Sequence, residues 1–180
     1  MPRNRRSELD REGKVAEIVA AAQRQLRSGG YRSLSMKSVA GELGLAQAAI
    51  YWYFPSKDHL FVQSIQDVFA AAWARKPHAG FPRQAQWFAD ELAELYPYIV
   101  ALRERARESE VAAAFLRTVD TQLRAIVTDA IERQTTTAQP AEKAEILLAT
   151  AEGLAARELT KRRRRKLMAT AVAALTPARR

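Results

Sequence analysis

The fold of this chain is decided by residues 30–61, which read GYRSLSMKSVAGELGLAQAAIYWYFPSKDHLF. Ser35 is a typical helix N-cap, Gly44 allows a sharp turn, and Pro55 breaks a helix, so the stretch predicts two short helices. The first lies between Ser35 and Gly44, and the second covers about residues 46–53. Helices this short do not persist alone, because nucleating a helix is costly. We therefore expect them to pack against each other and against a longer neighbour.

The longer neighbour is a helix that precedes them in the chain. Apolar residues recur on one face of it at helical spacing, namely Val15, Ile18, Val19, Ala22 and Leu26. Gly29-Gly30 ends this helix, because glycine accepts the left-handed conformation at a helix C-terminus. The three helices together predict a helix-turn-helix head, in which the last short helix enters the major groove of DNA.

Residues 30–61 also resemble the DNA-binding segment of the TetR family, which is named after the tetracycline repressor. The matching residues are Gly30-Tyr31, Ser35, Val39-Ala40, Gly44-Leu45, Ile50 to Phe54 and Ser56 to Leu60. Beyond these residues, the C-terminal two-thirds of the chain match the family only in length and helical pattern. It implies an all-α transcriptional regulator.

The resemblance implies roles for individual residues. Tyr51 and Lys57 match positions that usually bind DNA phosphates, whereas Lys37 and Gln47 match positions that often reach base edges. The chemistry of these side chains agrees with those roles. A phenol and an ammonium both donate to phosphate, while Lys pairs with guanine and Gln pairs with adenine.

The predicted recognition helix is otherwise poor in polar side chains. Gln47 is the only polar residue in its first four positions, and Ala46 stands where the family usually has Ser or Thr. We therefore expect sequence recognition to depend on Gln47, Lys37, alanine methyl groups and DNA shape. Trp52 and Tyr53 complete the predicted DNA-binding set, although each is also compatible with packing inside the head.

The rest of the chain also has a helical pattern, which makes the predicted fold class all-α with about nine helices. Beyond the head we expect helices at about residues 56–75, 83–96, 97–108, 110–134, 141–159 and 163–175. Ser56 suits the N-cap of the first of them, and Pro97 and Pro140 suit first turns, where a missing N–H costs nothing.

We expect a DNA-binding domain at residues 1–55 and a ligand-binding and dimerisation domain at residues 56–180. The resemblance implies that the second domain binds a small molecule, and its aromatic residues suit a mostly apolar pocket. The candidates are Trp73, Trp87, Phe88, Tyr96, Tyr98 and Phe115. The same residues also suit an ordinary hydrophobic core.

Two apolar stripes mark the last two helices. The first contains Leu147, Leu148, Ala151, Leu154 and Ala155, and the second contains Leu167, Met168, Ala171, Val172 and Leu175. The resemblance implies that this helix pair forms a homodimer interface, and a symmetric dimer requires a palindromic operator. Repression that is relieved by a ligand is the common behaviour of the family, and activation is the alternative. The aromatic residues of the second domain favour a mostly hydrophobic ligand.

The net charge of +9 is unevenly distributed along the chain. Residues 157–180 hold nine Lys and Arg against one acidic residue, and six of these cations are consecutive from Lys161 to Lys166. Like charges at such density repel unless solvent or an acidic partner lessens the cost. The run predicts either a solvated loop and helix start or a second contact with nucleic acid.

Composition and motifs argue against several other classes of protein. The chain has no cysteine and two histidines, and it lacks GxSxG, P-loop and HExxH motifs, so we expect no enzyme, metal site or cofactor. No apolar run reaches the length of a membrane helix, and no signal peptide is apparent, which indicates a cytoplasmic protein. The alternative is a helical interaction or ligand-binding protein without sequence-specific DNA binding.

Overall fold

The computed structural model describes residues 3–134 and 138–176, and these residues form eight α-helices without any strand. The helices are α1 (Arg3–Ser33), α2 (Met36–Glu42), α3 (Gln47–Tyr53), α4 (Lys57–Ala74), α5 (Phe81–Ala106), α6 (Glu110–Gln134), α7 (Pro140–Ala155) and α8 (Lys161–Leu175). The predicted all-α class is confirmed. None of the described helices is both long and apolar enough to cross a membrane.

The difference between eight helices and the predicted nine lies in α5. The sequence predicted a helix end before Pro97, but α5 continues through this residue. Pro97 has no N–H to donate to the carbonyl of Ala93, so one helical hydrogen bond is lost. Tyr96 and Ile99, on either side of it, pack against the hydrophobic core. Burial of these neighbours holds the helix together across the missing bond.

The predicted end of the first helix at Gly29-Gly30 is present as a kink inside α1. Gly30 has a φ of +64°, which favours glycine, and Gly29 is extended with a φ of −167°. The Ser33 hydroxyl donates to the carbonyls of Gln25 and Gly30, which ties the two sides of the kink together. The short turn beyond the kink carries Tyr31.

The helix-turn-helix forms as the sequence predicted. The Ser35 hydroxyl accepts a hydrogen bond of 3.3 Å from the Ser38 N–H and so caps α2. Gly44 has a φ of +66° in the turn before α3. α2 packs against both α1 and α3, and the residues buried in these contacts include Ile18, Ala22, Val39, Ala40 and Ile50.

The chain divides into two compact units. Unit 1 comprises the residues up to Phe69 together with Ala101–Ala114, and unit 2 comprises Ala70–Val100 together with the residues from Phe115 onward. α4, α5 and α6 each pass from one unit to the other, because each contains a boundary residue. The functional boundary that we placed after residue 55 stays a prediction.

The core of unit 2 contains most residues of the two apolar stripes that the sequence assigned to dimerisation. Its buried residues are Phe81, Ala85, Ala89, Leu92, Ile131, Ala144, Leu147, Ala151, Leu154, Ala155, Met168 and Val172. A side chain that is buried within one chain cannot also face a second copy, so the assignment of Leu147, Leu154 and Met168 to a dimer contact is wrong. Any dimer through α7 and α8 must use their outer faces.

The basic run begins α8, and Thr160 caps it by accepting from the Arg163 N–H. Arg164 Nε and Arg165 Nε donate to the two carboxylate oxygens of Asp90, at 3.1 and 2.5 Å. The Arg164 side chain is 11% exposed and Asp90 is 4% exposed, so this pair is internal. Repulsion within the run is therefore lessened by an acidic partner in the same unit.

Candidate functional site

The face of unit 1 that contains α3 carries large aromatic side chains in solvent. Trp52 is 71% exposed and Tyr51 is 45% exposed, and Gln47 at the start of α3 is also exposed. Tyr53 is half-buried, with its ring edge-on to Trp52 and 5.3 Å between the ring centres. Most of the Trp52 side chain thus lies outside the core of the unit, and exposed apolar clusters of this kind mark interaction surfaces.

A cation that sequence analysis missed lies beside Trp52. The Arg11 guanidinium, on α1, lies 5.5 Å from the centre of the Trp52 ring, within the range of a cation–π interaction. Arg11 is itself exposed. The face therefore combines aromatic surface with positive charge. No sequence motif links Arg11 to Trp52, because the two residues lie on different helices.

Lys37 is exposed on α2, whose first turn is fixed to α1 by one side chain. The Gln25 Oε1 atom accepts from the Ser35 N–H at 3.0 Å, and the Gln25 Nε2 atom donates to the Ser38 hydroxyl at 3.0 Å. These two hydrogen bonds hold the start of α2 in place. Lys37 consequently projects from a rigid support.

The first turn of α4 presents Lys57. The Ser56 hydroxyl accepts from the His59 N–H at 3.3 Å, which confirms the predicted N-cap. The Lys57 Nζ atom lies 4.0 Å from the centre of the Tyr31 ring. Burial lowers the pKa of the Lys57 amine, Asp58 opposes that shift, and Arg105 adds to it. The ammonium is thus held against an aromatic face at a helix N-terminus, where anions are attracted.

Asp58 joins three helices in what we call the Asp58 cluster, which consists of Tyr31, Asp58 and Arg105. The Tyr31 hydroxyl donates to Asp58 Oδ1 at 2.6 Å. Arg105 donates from Nε to Oδ1 at 2.8 Å and from Nη2 to Oδ2 at 3.1 Å, a bidentate pairing. These hydrogen bonds hold the Asp58 carboxylate in place. Because Asp58 follows Lys57 in the first turn of α4, they also hold the start of that helix.

The ionisation of this cluster follows from its contacts. Burial raises the pKa of the Asp58 carboxyl, but hydrogen bonds from Arg105, Tyr31 and Ser109 outweigh burial and hold that pKa below its usual range. Burial and the bond to Asp58 raise the pKa of Tyr31 to about 12. At neutral pH the carboxylate is therefore charged and the phenol remains a donor.

Unit 2 contains a mostly apolar cavity that is partly open to solvent. Its walls are Trp73, Lys76, Phe81, Gln84, Ala85, Trp87, Phe88, Leu123, Ile126, Val127, Ala130, Leu147, Leu148 and Met168. Of the six aromatic residues predicted to bind a ligand, Trp73, Trp87 and Phe88 line this cavity. Tyr96, Tyr98 and Phe115 do not line it, and Tyr96 packs against the core.

Sequence analysis missed the α6 wall of the cavity, where Leu123, Ile126, Val127 and Ala130 follow helical spacing. That spacing is equally typical of any buried helix face, so it carried no signal for a cavity. Trp73 and Trp87 meet edge-on, with 5.9 Å between their ring centres. A mostly aromatic and aliphatic wall suits an apolar ligand.

Residues 18–63 match the family model described as bacterial regulatory proteins, tetR family. The match runs from the buried part of α1 through α2 and α3 into α4, so it includes the helix-turn-helix and Lys57. The head is a TetR-family DNA-binding domain. The TetR match ends before Trp73, so it does not extend to the cavity of unit 2.

Solved structures share the fold over nearly the whole chain. A transcriptional regulator from Rhodococcus sp. Rha1 has a TM-score of 0.76 at 18% identity and covers 89% of this chain and 95% of its own. A TetR transcription regulator from Haloarcula marismortui ATCC 43049 has a TM-score of 0.73 at 20% identity, covering 92% and 99%. A protein from Saccharomonospora viridis, solved in complex with choline, has a TM-score of 0.75 at 15% identity, covering 94% and 100%.

No curated protein sequence matches the chain. The identities to the solved structures are low, so these similarities establish the fold, whereas the family match establishes the TetR head. Together they make the chain a DNA-binding transcriptional regulator with an all-α body.

Proposed function

We propose that the chain is a transcriptional repressor that binds a palindromic operator as a homodimer and is released by a small, mostly hydrophobic ligand. The observation that carries the proposal is the exposed face of the TetR head. There Tyr51 and Trp52 lie in solvent on α3, and Lys57 is held in place by the Tyr31 ring. Ordered cations and phenols are groups that bind DNA phosphates.

Within this proposal the side chains divide into two tasks. Tyr51, Trp52, Tyr53 and Lys57 contact the sugar-phosphate backbone and set the position of the head on DNA. Lys37 and Gln47 are exposed at α2 and at the start of α3, and they reach base edges in the major groove. Lys37, Gln47, Tyr51 and Trp52 are exposed, whereas Tyr53 and Lys57 are half-buried. The exposure of the first four supports these two tasks.

The homodimer uses the outer faces of α7 and α8. Ile146 is 49% exposed, and Ala149 and Gly153 follow it on the same exposed face of α7. Ala173 and Ala174 are exposed on α8. Small residues around one large apolar side chain allow two helix pairs to approach closely, which supports a symmetric contact between two copies.

Ligand release of the repressor acts through α4. This helix carries Lys57 in its first turn and Trp73, a residue of the cavity wall, near its end. A ligand that favours one position of α4 would shift the population of the protein away from the conformation that fits the operator. The Saccharomonospora viridis protein of the same fold is in complex with choline, which supports a small-molecule role for this body.

The test is selection of bound fragments from the genome that encodes the protein, followed by electrophoretic mobility shift on the selected DNA. We expect a complex that survives excess competitor DNA and shows two inverted half-sites under footprinting. A protein that binds no fragment better than competitor contradicts the proposal and favours a ligand-binding protein without sequence-specific DNA binding. A footprint with a single half-site would contradict only the proposal that the protein binds as a homodimer.

A further inference from the structure

One residue in the wall of the unit 2 cavity carries a charged group. Among the fourteen residues that the structure places in its wall, Lys76 is the only one with an ionisable side chain. Its backbone N–H donates to the Trp73 carbonyl at 3.0 Å, so Lys76 is fixed in the turn that follows α4. The Lys76 Nζ atom lies 5.0 Å from the centre of the Trp73 ring.

The charge of Lys76 is not neutralised by an acidic residue in the described part of the chain. Its neighbour Arg75 differs in this respect, because Arg75 Nη2 forms a salt bridge of 2.6 Å with Glu91 Oε2. Two adjacent cations therefore have different environments. Arg75 is paired outside the cavity, whereas Lys76 is left in the cavity wall with an aromatic ring as its partner.

The other polar groups of the wall do not offer negative charge. The Gln84 amide nitrogen is already occupied, since it donates to the carbonyls of Ala79 at 2.8 Å and Pro77 at 3.4 Å. The indole Nε1 atom of Trp87 is buried and has no hydrogen-bond partner within the described chain. An unpartnered buried donor costs free energy, which an incoming acceptor can recover. The wall thus contains no carboxylate, and one of its residues, Trp87, has a donor without a partner in the described chain.

We propose that the ligand of this cavity is an apolar carboxylic acid, with its hydrocarbon body between the aromatic side chains and its carboxylate paired with Lys76. The inference rests on the proposed function, because it assumes that unit 2 is the ligand-binding part. The apolar walls supply burial, and the ammonium supplies a charge-assisted hydrogen bond. The acid binds as the anion, and no covalent step is involved.

A cationic ligand is disfavoured by the same residues. Aromatic pairs such as Trp73 and Trp87 do bind quaternary ammonium groups in proteins. Here, however, the face of Trp73 is already shared with the Lys76 ammonium, and the wall contains no carboxylate to offset a second cation. Like charges in a partly enclosed site repel, so the charge of the wall selects anions.

The test is isothermal titration calorimetry on the full chain without DNA. The probes are 2-naphthoate and decanoate, with 2-naphthylmethanol as the neutral counterpart and 2-naphthylmethyl-trimethylammonium as the cation. We expect the carboxylates to bind about tenfold or more tightly than the alcohol, and the cation to bind more weakly than either. Equal affinity for acid and alcohol, tighter binding of the cation, or no binding of either carboxylate would overturn the inference.

Variants assign the effect to Lys76. Lys76→Met should reduce the affinity for 2-naphthoate to that for the alcohol and leave the alcohol affinity unchanged, whereas Lys76→Arg should retain acid binding. Arg75→Gln is the matched control, since it removes an adjacent charge that is paired with Glu91. Circular dichroism checks that each variant is folded. If Lys76→Met and Arg75→Gln lost the same amount of 2-naphthoate affinity, the effect would be one of general charge. That result would overturn the pairing of the carboxylate with Lys76.

The outcome is separable from that of the proposed function, because the calorimetry contains no DNA. A chain that binds its operator and is released by a cationic or neutral ligand would keep the proposed function and overturn this inference. A chain that binds carboxylates through Lys76 but binds no operator would keep this inference and contradict DNA regulation.

Discussion

Lys57 and Asp58 are adjacent in the chain but have opposite environments. The Lys57 ammonium lies against the ring of Tyr31, on the face that we propose binds DNA. The Asp58 carboxylate instead pairs with Arg105 and the Tyr31 hydroxyl. Lys57 thus offers a charge to DNA in our proposal, whereas Asp58 stabilises the first turn of α4. Substitutions at the two positions should therefore have different consequences.

Replacing Lys57 should weaken binding to every DNA sequence alike, because a phosphate contact carries no sequence information. We expect Lys57→Ala to reduce the slope of log affinity against log salt concentration by about 1, as loss of one neutralised phosphate does. Fluorescence anisotropy at several salt concentrations measures this slope. An unchanged slope would show that Lys57 does not contact phosphate.

Replacing Gln47 should change preference rather than general affinity. We expect Gln47→Ala to relax base preference at one position in each half-site, at a cost of about 1–3 kcal/mol for the preferred base. Selection of random DNA with the native chain and the variant compares the two preferences. If both proteins select the same bases, Gln47 is not a base-reading residue.

Replacing Asp58 should destabilise the fold in a pH-dependent way. The pKa of its carboxyl is lowered in the folded chain, so its contribution is complete above the unfolded value of 3.8 and is lost as pH falls through the folded value. We expect Asp58→Asn to lower the free energy of unfolding by about 1–2 kcal/mol at pH 7. The difference from the native chain should shrink below pH 3.8.

Urea unfolding at a series of pH values checks the expectation for Asp58. Asp67→Asn is a suitable control, because Asp67 is exposed and its side chain accepts from Gln63 on its own helix. A destabilisation by Asp58→Asn that is equally large at low and neutral pH would indicate lost packing instead of lost charge.

Sequence reasoning identified Asp58 as a motif position but could not identify its partner. Arg105 is 47 residues away, and one arginine among many gives no sign of which carboxylate it will reach. The helix-turn-helix was easier to predict, because the Ser35 cap and the turn at Gly44 depend on local backbone chemistry.

At the scale of helices, ends were predictable where they depend on local chemistry. Ser35, Ser56 and Thr160 each accept a hydrogen bond from a backbone N–H at a helix start, and two of these N-caps were recognised from sequence. Pro97 was misjudged because its effect is not local. Its lost hydrogen bond is outweighed by the burial of neighbouring residues, and burial depends on the tertiary structure.

Pro97 should therefore be a point of weakness in α5. We expect Pro97→Ala to raise the free energy of unfolding by about 1 kcal/mol or more, because alanine restores the bond to the Ala93 carbonyl and removes the ring. Pro82→Ala is the matched control. Pro82 lies in the first turn of the same helix, where an N–H has no helical acceptor.

The midpoint of urea unfolding measures both proline variants. Pro82→Ala should shift the midpoint little, since it changes no helical hydrogen bond. A midpoint for Pro97→Ala that is equal to or below that of the native chain would indicate that the proline shape of α5 is needed for packing.

For the whole molecule, the assembly was the hardest level to predict from sequence. Ile146 and Leu147 are adjacent and equally apolar, yet Leu147 is in the core while Ile146 is half exposed. A pattern of apolar residues shows that α7 has two apolar sides but does not show which one another helix of the same chain will cover. The sequence therefore assigned to a dimer contact several residues that the chain itself buries, and the use of α7 and α8 for dimerisation stays a prediction.

Gly153 offers a direct test of the outer face. A Cβ atom at this position would meet nothing within 4 Å, so a larger side chain does not disturb the single chain. We expect Gly153→Arg to leave the circular dichroism spectrum unchanged and to weaken dimerisation by about 2 kcal/mol or more, because it places a charge in the contact.

Sedimentation equilibrium compares Gly153→Arg with the native chain. Ala125→Arg adds the same charge at an exposed position of α6 and serves as the control. A dimer that persists in the Gly153 variant, or that weakens equally in both variants, would contradict a dimer through the outer face of α7.

Because unit 1 is assembled from two separate stretches of chain, no single protease cut releases it intact. A recombinant fragment that stops near Phe69 keeps the whole TetR match but discards Arg105 and Ser109, both of which bond to Asp58. We therefore expect a head that retains Ala101–Ala114 to be more stable in isolation than one that ends at Phe69, because it keeps the partners of Asp58.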